Sequence, residues 1–245
     1  MNILVCISIV PDTTAKITFT DNNTQFNPAG VQFILNPYDE IALSRAIDFA
    51  ENGKGTVTVV HVGPATAEPV IRKALAAGAT SAVRINAEPT DAYFVASQIA
   101  EFVKANPFDL ILTGMESIDY NGAKVAAMLG EFLDLPSVSV IKKINVEGNT
   151  ATIEREIEGG KEILSVPLPL IAGTAEGVAD WKIPNMRGIM AARKKPIKVV
   201  EAVAADQLSK IIGFETPEPR GKVKMVSAEN VAQLVDFLHQ EAKVI

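Results

Sequence analysis

Between an apolar run, Leu110 to Leu112, and a helically spaced set, Val125, Met128, Leu129, Phe132 and Leu133, the chain carries Glu116, Ser117, Asp119 and Asn121 followed by Gly122. That order reads as strand, polar loop and helix, with the helix starting at about Asn121. In an open parallel sheet, ligands sit beyond the carboxyl ends of the strands. Loops there feed helix N-termini, whose unpaired N–H groups and partial positive charge suit a phosphate. The stretch from Asp109 to Leu129 therefore reads as a nucleotide phosphate cradle, with Gly122 allowing close backbone approach. The same residue types also turn a chain and cap the next helix without binding anything, and the sequence leaves both readings open.

Other chemistry is sparse. The chain has no GxSxG turn, no Walker lysine motif and no GxGxxG after its first strand. The single cysteine, Cys6, lies in an apolar strand and reads as an inert small hydrophobe. His61 follows a strand, where a turn role competes with a place at a pocket edge. The histidines, His61 and His239, are too far apart in sequence for a zinc-type spacing. Arg155 and Glu156 precede a Gly-Gly turn, where charged side chains usually form solvated cross-strand pairs. Met186, Ile189 and Met190, flanked by Arg187, Arg193, Lys194 and Lys195, fit either an adaptable docking surface for an acidic partner or a short helix with one buried face and solvated lysines.

Around these residues the pattern alternates strand and helix. Ile3 to Val10 reads as one buried strand, and Thr13 to Phe33 as an excursion with a hairpin at Asp21-Asn22-Asn23. A helix capped by Asn36 follows, with Pro37 at its first position and Asp39 and Glu40 suited to its dipole. Strands at Lys54 to Pro64, Ser81 to Ile85 and Leu110 to Gly114 alternate with helices at Glu68 to Ala77 and Asp91 to Ala105. This predicts a parallel sheet with helices on both faces, in which Cys6 to Pro11, Asn36 to Asp39, His61 to Pro64 and Gly114 to Gly122 gather at one end. After Pro136 the runs VSVIKKINVEG, NTATIEREIEGG and KEILSVPLPLIAG predict added antiparallel strands. From about Val200 the elements are isolated, until an amphipathic helix at Ala228 to Lys243 whose tail either packs back on its own domain or reaches onto another chain.

The totals narrow the class. A chain of 245 residues with 48% hydrophobic content can bury a large core without a metal or disulfide. A net charge of −6 disfavours general nucleic-acid binding, although positive charge concentrates between Arg187 and Lys198. With no basic leader before its apolar start and no membrane-length apolar run, the chain is expected to be soluble and cytoplasmic in a bacterial cell, without membrane insertion.

Taken together, NPYDEIAL, HVGP followed by IRKALAAGA, DLILTGMESIDYNG, VEGNTATIEREIEGG and PNMRGIMAARKKPIKV resemble the small (β) subunit of electron transfer flavoproteins over nearly the whole chain. The last two in that order are the specific part, since a general nucleotide-binding domain requires neither. The resemblance implies a Rossmann-like, doubly wound, mainly parallel α/β domain over residues 1–199. It also implies a recognition loop at about 183–196 and an arm, residues 200–245, that packs on the α subunit. It implies a heterodimer whose larger α subunit holds the redox FAD, while this chain buries a structural AMP and is an electron carrier subunit with no catalytic residue of its own, serving fatty acid β-oxidation. By motif position, Cys6, Ile7, Ser8, Asn36, Tyr38, Asp39, Val62, Gly63, Gly114, Asp119, Asn121, Gly122, Ala123, Lys124 and Val125 surround that nucleotide. Met186 stands where some members have Leu. With Arg187, Ile189, Met190, Arg193, Lys194 and Lys195 it implies docking of flavin dehydrogenases of the acyl-CoA dehydrogenase type. Glu156 resembles an acidic residue that restrains the mobile FAD domain.

One departure bears on the nucleotide. Many AMP-binding members read Asn-Gln-Thr-Gly in the phosphate loop, whereas this chain reads Ala123-Lys124-Val125-Ala126, so backbone amides or Lys124 must replace the side-chain contacts. Bifurcating relatives hold a second FAD at the same site and take electrons from NADH, which is the alternative reading. A stand-alone adenine-nucleotide-binding regulatory domain accounts for residues 1–135 but leaves the Met-Arg-Gly-Ile-Met segment and the tail unexplained.

Overall fold

A computed structural model describes residues 1–51, 55–219 and 221–245. Strand β1 (Asn2–Cys6) places Ile3 and Val5 in one core layer and Leu4 and Cys6 in the other, which is why its run is apolar without alternation. The expected single strand over Ile3 to Val10 breaks after Cys6. Its second half, β2 (Ile9–Pro11), leaves the main sheet. The excursion holds β3 (Phe19–Thr20) and β4 (Gln25–Phe26), joined through Asp21, Asn22 and Asn23, all at positive φ. Asn and Asp tolerate this left-handed conformation better than other non-glycine residues. Strand β5 (Phe33–Leu35) then pairs antiparallel with β2.

Helix α1 (Pro37–Ala50) starts at the expected proline. Next come β6 (Thr56–Val62), α2 (Glu68–Ala77), which ends at Gly78 with φ +139°, β7 (Ser81–Asn86), and α3 (Ala92–Ala105), capped by the Asp91 carboxylate on Phe94 N–H. Lys54, expected to open the β6 strand, lies outside the described residues. Strand β8 (Leu110–Gly114) leads to α4 (Val125–Leu133), which starts four residues later than the periodicity predicts because the intervening loop closes on itself. Strands β9 (Ser137–Glu147), β10 (Thr150–Ile157), β11 (Gly160–Pro167) and β12 (Leu170–Thr174) follow, then α5 (Met186–Lys194) and β13 (Ile197–Glu201).

The main sheet runs β11-β10-β9-β12-β8-β1-β6-β7-β13. Every neighbouring pair from β9 across to β13 is parallel, while β10 pairs antiparallel with both β9 and β11. The added antiparallel strands are therefore β10 and β11. By contrast β12, expected among them, inserts between β8 and β9 as a fully buried parallel strand. Helices α1 and α2 cover one face and α3 and α4 the other, each over its own apolar layer. From β1 the chain winds outward through β6 and β7, then returns to place β8 on the other side of β1. The direction of winding reverses there, at the carboxyl ends of β1 and β8, the place where open α/β sheets offer a ligand crevice outside the strand ends.

Beyond β13 the chain is stapled to its own domain. The buried side-chain amide of Gln98 donates to Val203 O and accepts from Val203 N–H, both at 2.8 Å, so it stands in for a ladder partner. The free oxygen of the capping carboxylate Asp91 accepts from Leu208 N–H and Ser209 N–H at 2.7 Å. Phe214 stacks on Phe19 with centroids 4.6 Å apart, and its N–H donates to Asn23 O. The amphipathic C-terminal segment forms only α6 (Val231–Asp236) and a π-helical turn, Phe237–Ala242, with no buried residue. Ile212, Val223, Met225, Val231 and Ile245 stand exposed along this arm.

Candidate functional site

At the crevice, the first turn of α1 ties two strand ends together. Asp39 is buried; its Oδ2 accepts from Ser8 N–H just beyond β1 at 2.6 Å, and its Oδ1 accepts from Gly114 N–H at the end of β8 at 2.8 Å. Asn36, fully buried, occupies the N-cap position of α1 without capping it. Its side chain reaches across instead, donating to Glu116 O at 2.8 Å and accepting from Ile118 N–H at 3.3 Å. Its backbone N–H donates to Ser8 O. The single Thr174 Oγ1 proton is shared between Thr113 O at 3.0 Å and the carbonyl of the half-buried Tyr38 at 3.2 Å. The expected gathering of Cys6 to Pro11, Asn36 to Asp39 and Gly114 to Gly122 is thus a set of direct hydrogen bonds.

An acidic group at the N-terminus of α1 already satisfies that dipole, so a second anion finds no opening there. Burial pushes the Asp39 carboxyl up to about 7, against the pull of Ser8 N–H, the Asn36 side chain and Gly114 N–H. Glu40, beside it, is also raised to about 7 by burial, with Lys73 opposing and Asp39 adding to the rise. The Cys6 thiol is driven far up, by burial first and by Asp39 second, so it stays neutral and unreactive.

A carboxyl whose folded value exceeds its unfolded one binds a proton only in the folded state between the two, so stability is greatest at low pH and declines as pH rises. In urea unfolding, Asp39 and Glu40 are expected to contribute a fall in stability from pH 4 to 7, against which the buried His61, with its lowered pKa, contributes a rise as pH approaches the ordinary imidazole value. Asp39→Asn is expected to remove its share of that slope. An unchanged slope in the variant would show that Asp39 does not titrate in this window.

The third wall comes from β6 and β7. His61 is buried with Nδ1 2.9 Å from Ile7 O, and burial lowers its pKa, so the neutral ring donates Nδ1–H to that carbonyl. Val62 is buried and Gly63 N–H donates to Ile85 O. A Cβ on Gly63 would land on His61 Nε2, so close packing requires glycine there. Arg84, also buried, donates to Gly63 O at 3.0 Å, to Asn86 Oδ1 at 2.8 Å and to Glu68 at 3.3 Å. Arg84 and Thr174 are absent from the sequence-derived set. A lone arginine among the apolar residues Ala82, Val83 and Ile85 was the available signal for the first, whereas nothing local marks the second.

The loop from β8 to α4 divides between turn chemistry and an open end. Ser117 Oγ donates to Asp119 Oδ1 at 2.6 Å, Ser117 and Gly122 exchange backbone bonds, and Asn121 takes φ +52°. These residues shape the turn. A Cβ on Gly122 would meet only Tyr120 at 3.8 Å, so packing within the chain does not demand glycine at this position. Ala123 and Lys124 are exposed, and Lys124 sits at the N-cap of α4 with no side-chain cap. Among the described residues, no group outside the helix accepts from the N–H groups of Val125, Ala126 or Ala127, while Met128 N–H reaches Lys124 O. These free donors, the helix dipole and one lysine suit an anionic group at the crevice. One surface hollow runs along α4 from Ala127 past Gly130 to Ser139, and another lies beside Met1 and Asn149. No group of three metal-ligating side chains occurs among the described residues.

The segment around Met186 forms a separate surface. Helix α5 is capped by Asn185 Oδ1 on Gly188 N–H at 2.9 Å and packs on α2. Its inner face buries Ala192, while Met186 and Met190 are 72% and 63% exposed one turn apart, with Ile189 at the edge. Arg187, Arg193 and Lys194 are exposed, whereas Lys195 turns inward to donate to Ala79 O at 2.5 Å. The short helix with one buried face and solvated basic residues is thus what the structure shows, and its outer face leaves Met186 and Met190 exposed. At the opposite sheet edge, Glu156 on β10 is mostly exposed and lies 3.5 Å from Lys142, beside the Arg155–Glu162 pair at 2.6 Å.

No helix among the described residues is long and apolar enough to cross a membrane. A family model described as "Electron transfer flavoprotein domain" matches residues 24–205. The electron transfer flavoprotein subunit β of Bacillus subtilis is 36% identical over the whole of both chains. That of Syntrophomonas wolfei is 35% identical over all of this chain and 98% of its own. The Homo sapiens subunit β is 29% identical, covering all of this chain and 99% of its own.

Proposed function

The chain belongs to the electron transfer flavoprotein β-subunit family, and from that premise we propose that it binds AMP at the β1/β8 crevice and supports an FAD-bearing α subunit. We further propose that it docks flavin dehydrogenases of the acyl-CoA dehydrogenase type. The FAD supplies the redox chemistry when bound, and the AMP is structural. Electrons pass between flavins on other chains, and this chain contributes position and partner choice. In this reading residues 1–199 are the nucleotide-binding domain and residues 200–245 the arm that packs on the α subunit.

The observation that carries the nucleotide reading is the uncapped N-terminus of α4 at the switch point, with Lys124 beside it. Backbone N–H groups of Val125 to Ala127 and the Lys124 ammonium take the phosphate in place of the absent Asn and Thr side chains. Val62, Gly63 and the Cys6 to Ser8 turn line the rest. Asp39 and Asn36 act one step back, fixing the strand ends and the loop. Glu156, exposed on β10, is the proposed contact restraining the FAD domain.

The test is to purify the αβ complex, denature it and identify the released nucleotides by chromatography and mass. One AMP and one FAD per pair is the expected result. Two FAD and no AMP replaces this reading with the bifurcating one, and ATP on a lone chain replaces it with a regulatory domain.

Docking rests on the exposed Met186 and Met190 stripe and its cationic rim. Met186→Ala is expected to raise the KM for reduction by an acyl-CoA dehydrogenase about tenfold, the effect of losing one central apolar anchor, with nucleotide content intact. The encounter is expected to slow as ionic strength rises. Loss of nucleotide instead would assign Met186 to the wrong site.

A further inference from the structure

We propose that the Met186–Met190 stripe is presented by a rigid seat on α2, and that Arg72 and Gly188 are the positioning residues of that seat. The inference rests on the docking reading above and adds how the docking surface is held. Helix α5 has nine residues, with glycine at its third position. A helix that short is marginal in water, and an interior glycine weakens it further relative to alanine. Its geometry must therefore come from what it packs against.

The contacts with α2 supply it at both ends. Arg72 on α2 donates from Nη1 to Ala192 O at 3.0 Å and to Lys195 O at 3.1 Å, clamping the C-terminal end of α5, where Ala192 O also accepts from the C-cap Lys195 N–H. Lys195 Nζ adds a bond back to Ala79 O, just past the end of α2. In the first turn, a Cβ on Gly188 would land on Ala76 O. The backbones of the two helices therefore touch at this point, and only glycine permits the approach. Gly188 and Ala192 are one turn apart on the inner face, and Met186 and Met190 one turn apart on the outer face, so the seat fixes the rotation of the stripe about the helix axis. A docking element ordered before the encounter loses less conformational entropy on binding.

Gly188→Ala separates this seat from helix formation as such. Alanine raises intrinsic helix propensity, yet its methyl pushes α5 off α2. If helicity alone governed docking the variant would dock better, whereas a seat makes it dock worse. The experiment uses the αβ complex and a purified acyl-CoA dehydrogenase with its acyl-CoA substrate. It compares Gly188→Ala, Arg72→Met, Arg72→Lys and Met186→Ala. For Gly188→Ala and Arg72→Met the expected result is a KM for the complex raised about fivefold to tenfold, with kcat within twofold. Flavin reduction by dithionite and AMP and FAD content are expected at wild-type level, and Arg72→Lys, which can still donate to the carbonyls, should recover part of the loss. If Met186→Ala raises KM while Gly188→Ala leaves it unchanged or lower, the seat is overturned and the docking reading stands. If Met186→Ala leaves KM unchanged, the docking reading fails and the seat fails with it.

Discussion

Replacing Gly114 by alanine is expected to lower the unfolding free energy by about 2–4 kcal/mol, combining overpacking with a lost charge-assisted bond. Its thermal midpoint should fall by roughly 5–15 °C for a domain of this size. The reason is the space around Gly114, not its φ. A Cβ there would land on Asp39 Oδ1, 2.7 Å from Tyr38 Cβ and 3.1 Å from Asn36 Nδ2. None of these atoms is free to retreat. Asp39 is held by Ser8 N–H and Gly114 N–H, Asn36 by Glu116 and Ile118, and Tyr38 Cβ is fixed by its backbone in the first turn of α1. The methyl must break the strap between β1 and β8, so the proposed nucleotide should be lost together with stability. Calorimetry and nucleotide quantitation on the same preparation check this, and a wild-type midpoint would refute a tight strap.

The second large effect separates binding from stability. Lys124→Glu is expected to weaken nucleotide binding by about 10–100-fold, because a phosphate then meets a like charge at short range. The same substitution should leave the fold unchanged or stabilise it by about 0.3–1 kcal/mol, since a carboxylate at a helix N-terminus complements the dipole. Lys124 is exposed at the uncapped end of α4, so no packing is lost. Titration of the apo complex with AMP, beside a thermal melt, reads both signs. Unchanged affinity would remove the phosphate from α4.

Much of this architecture is written locally. Pro37 starts α1, Asp91 caps α3, Gly78 ends α2, and Asp21-Asn22-Asn23 turns the hairpin, each through an interaction within four residues. Long-range choices are less visible. β12 has the same β-branched look as the antiparallel β10 and β11, and its insertion beside β8 depends on a pairing that no local pattern encodes. Asn36 has the residue type of a cap, yet its partners lie 80 residues on, across the crevice. The run Ile3 to Val10 is uniformly apolar, but the chain leaves the sheet after Cys6, where Ser8 N–H and Ser8 O are engaged by Asp39 and Asn36 instead of a neighbouring strand. The amphipathic pattern of residues 228–243 yields only a short α-helix, because within this chain its apolar side chains find nothing to bury against.

That arm changes what a melting temperature means for this molecule. Its root is stapled to Gln98, Asp91 and Phe19, while its outer apolar side chains stand in water. Any surface that covers them binds the folded chain and not the unfolded one. By mass action it then raises stability by RT ln(1 + [L]/Kd), about 2.7 kcal/mol at a hundredfold excess over Kd. Stability thus becomes a property of the stoichiometry in solution. A chain in excess over its partner melts at its own lower temperature, and one in balance melts with the assembly.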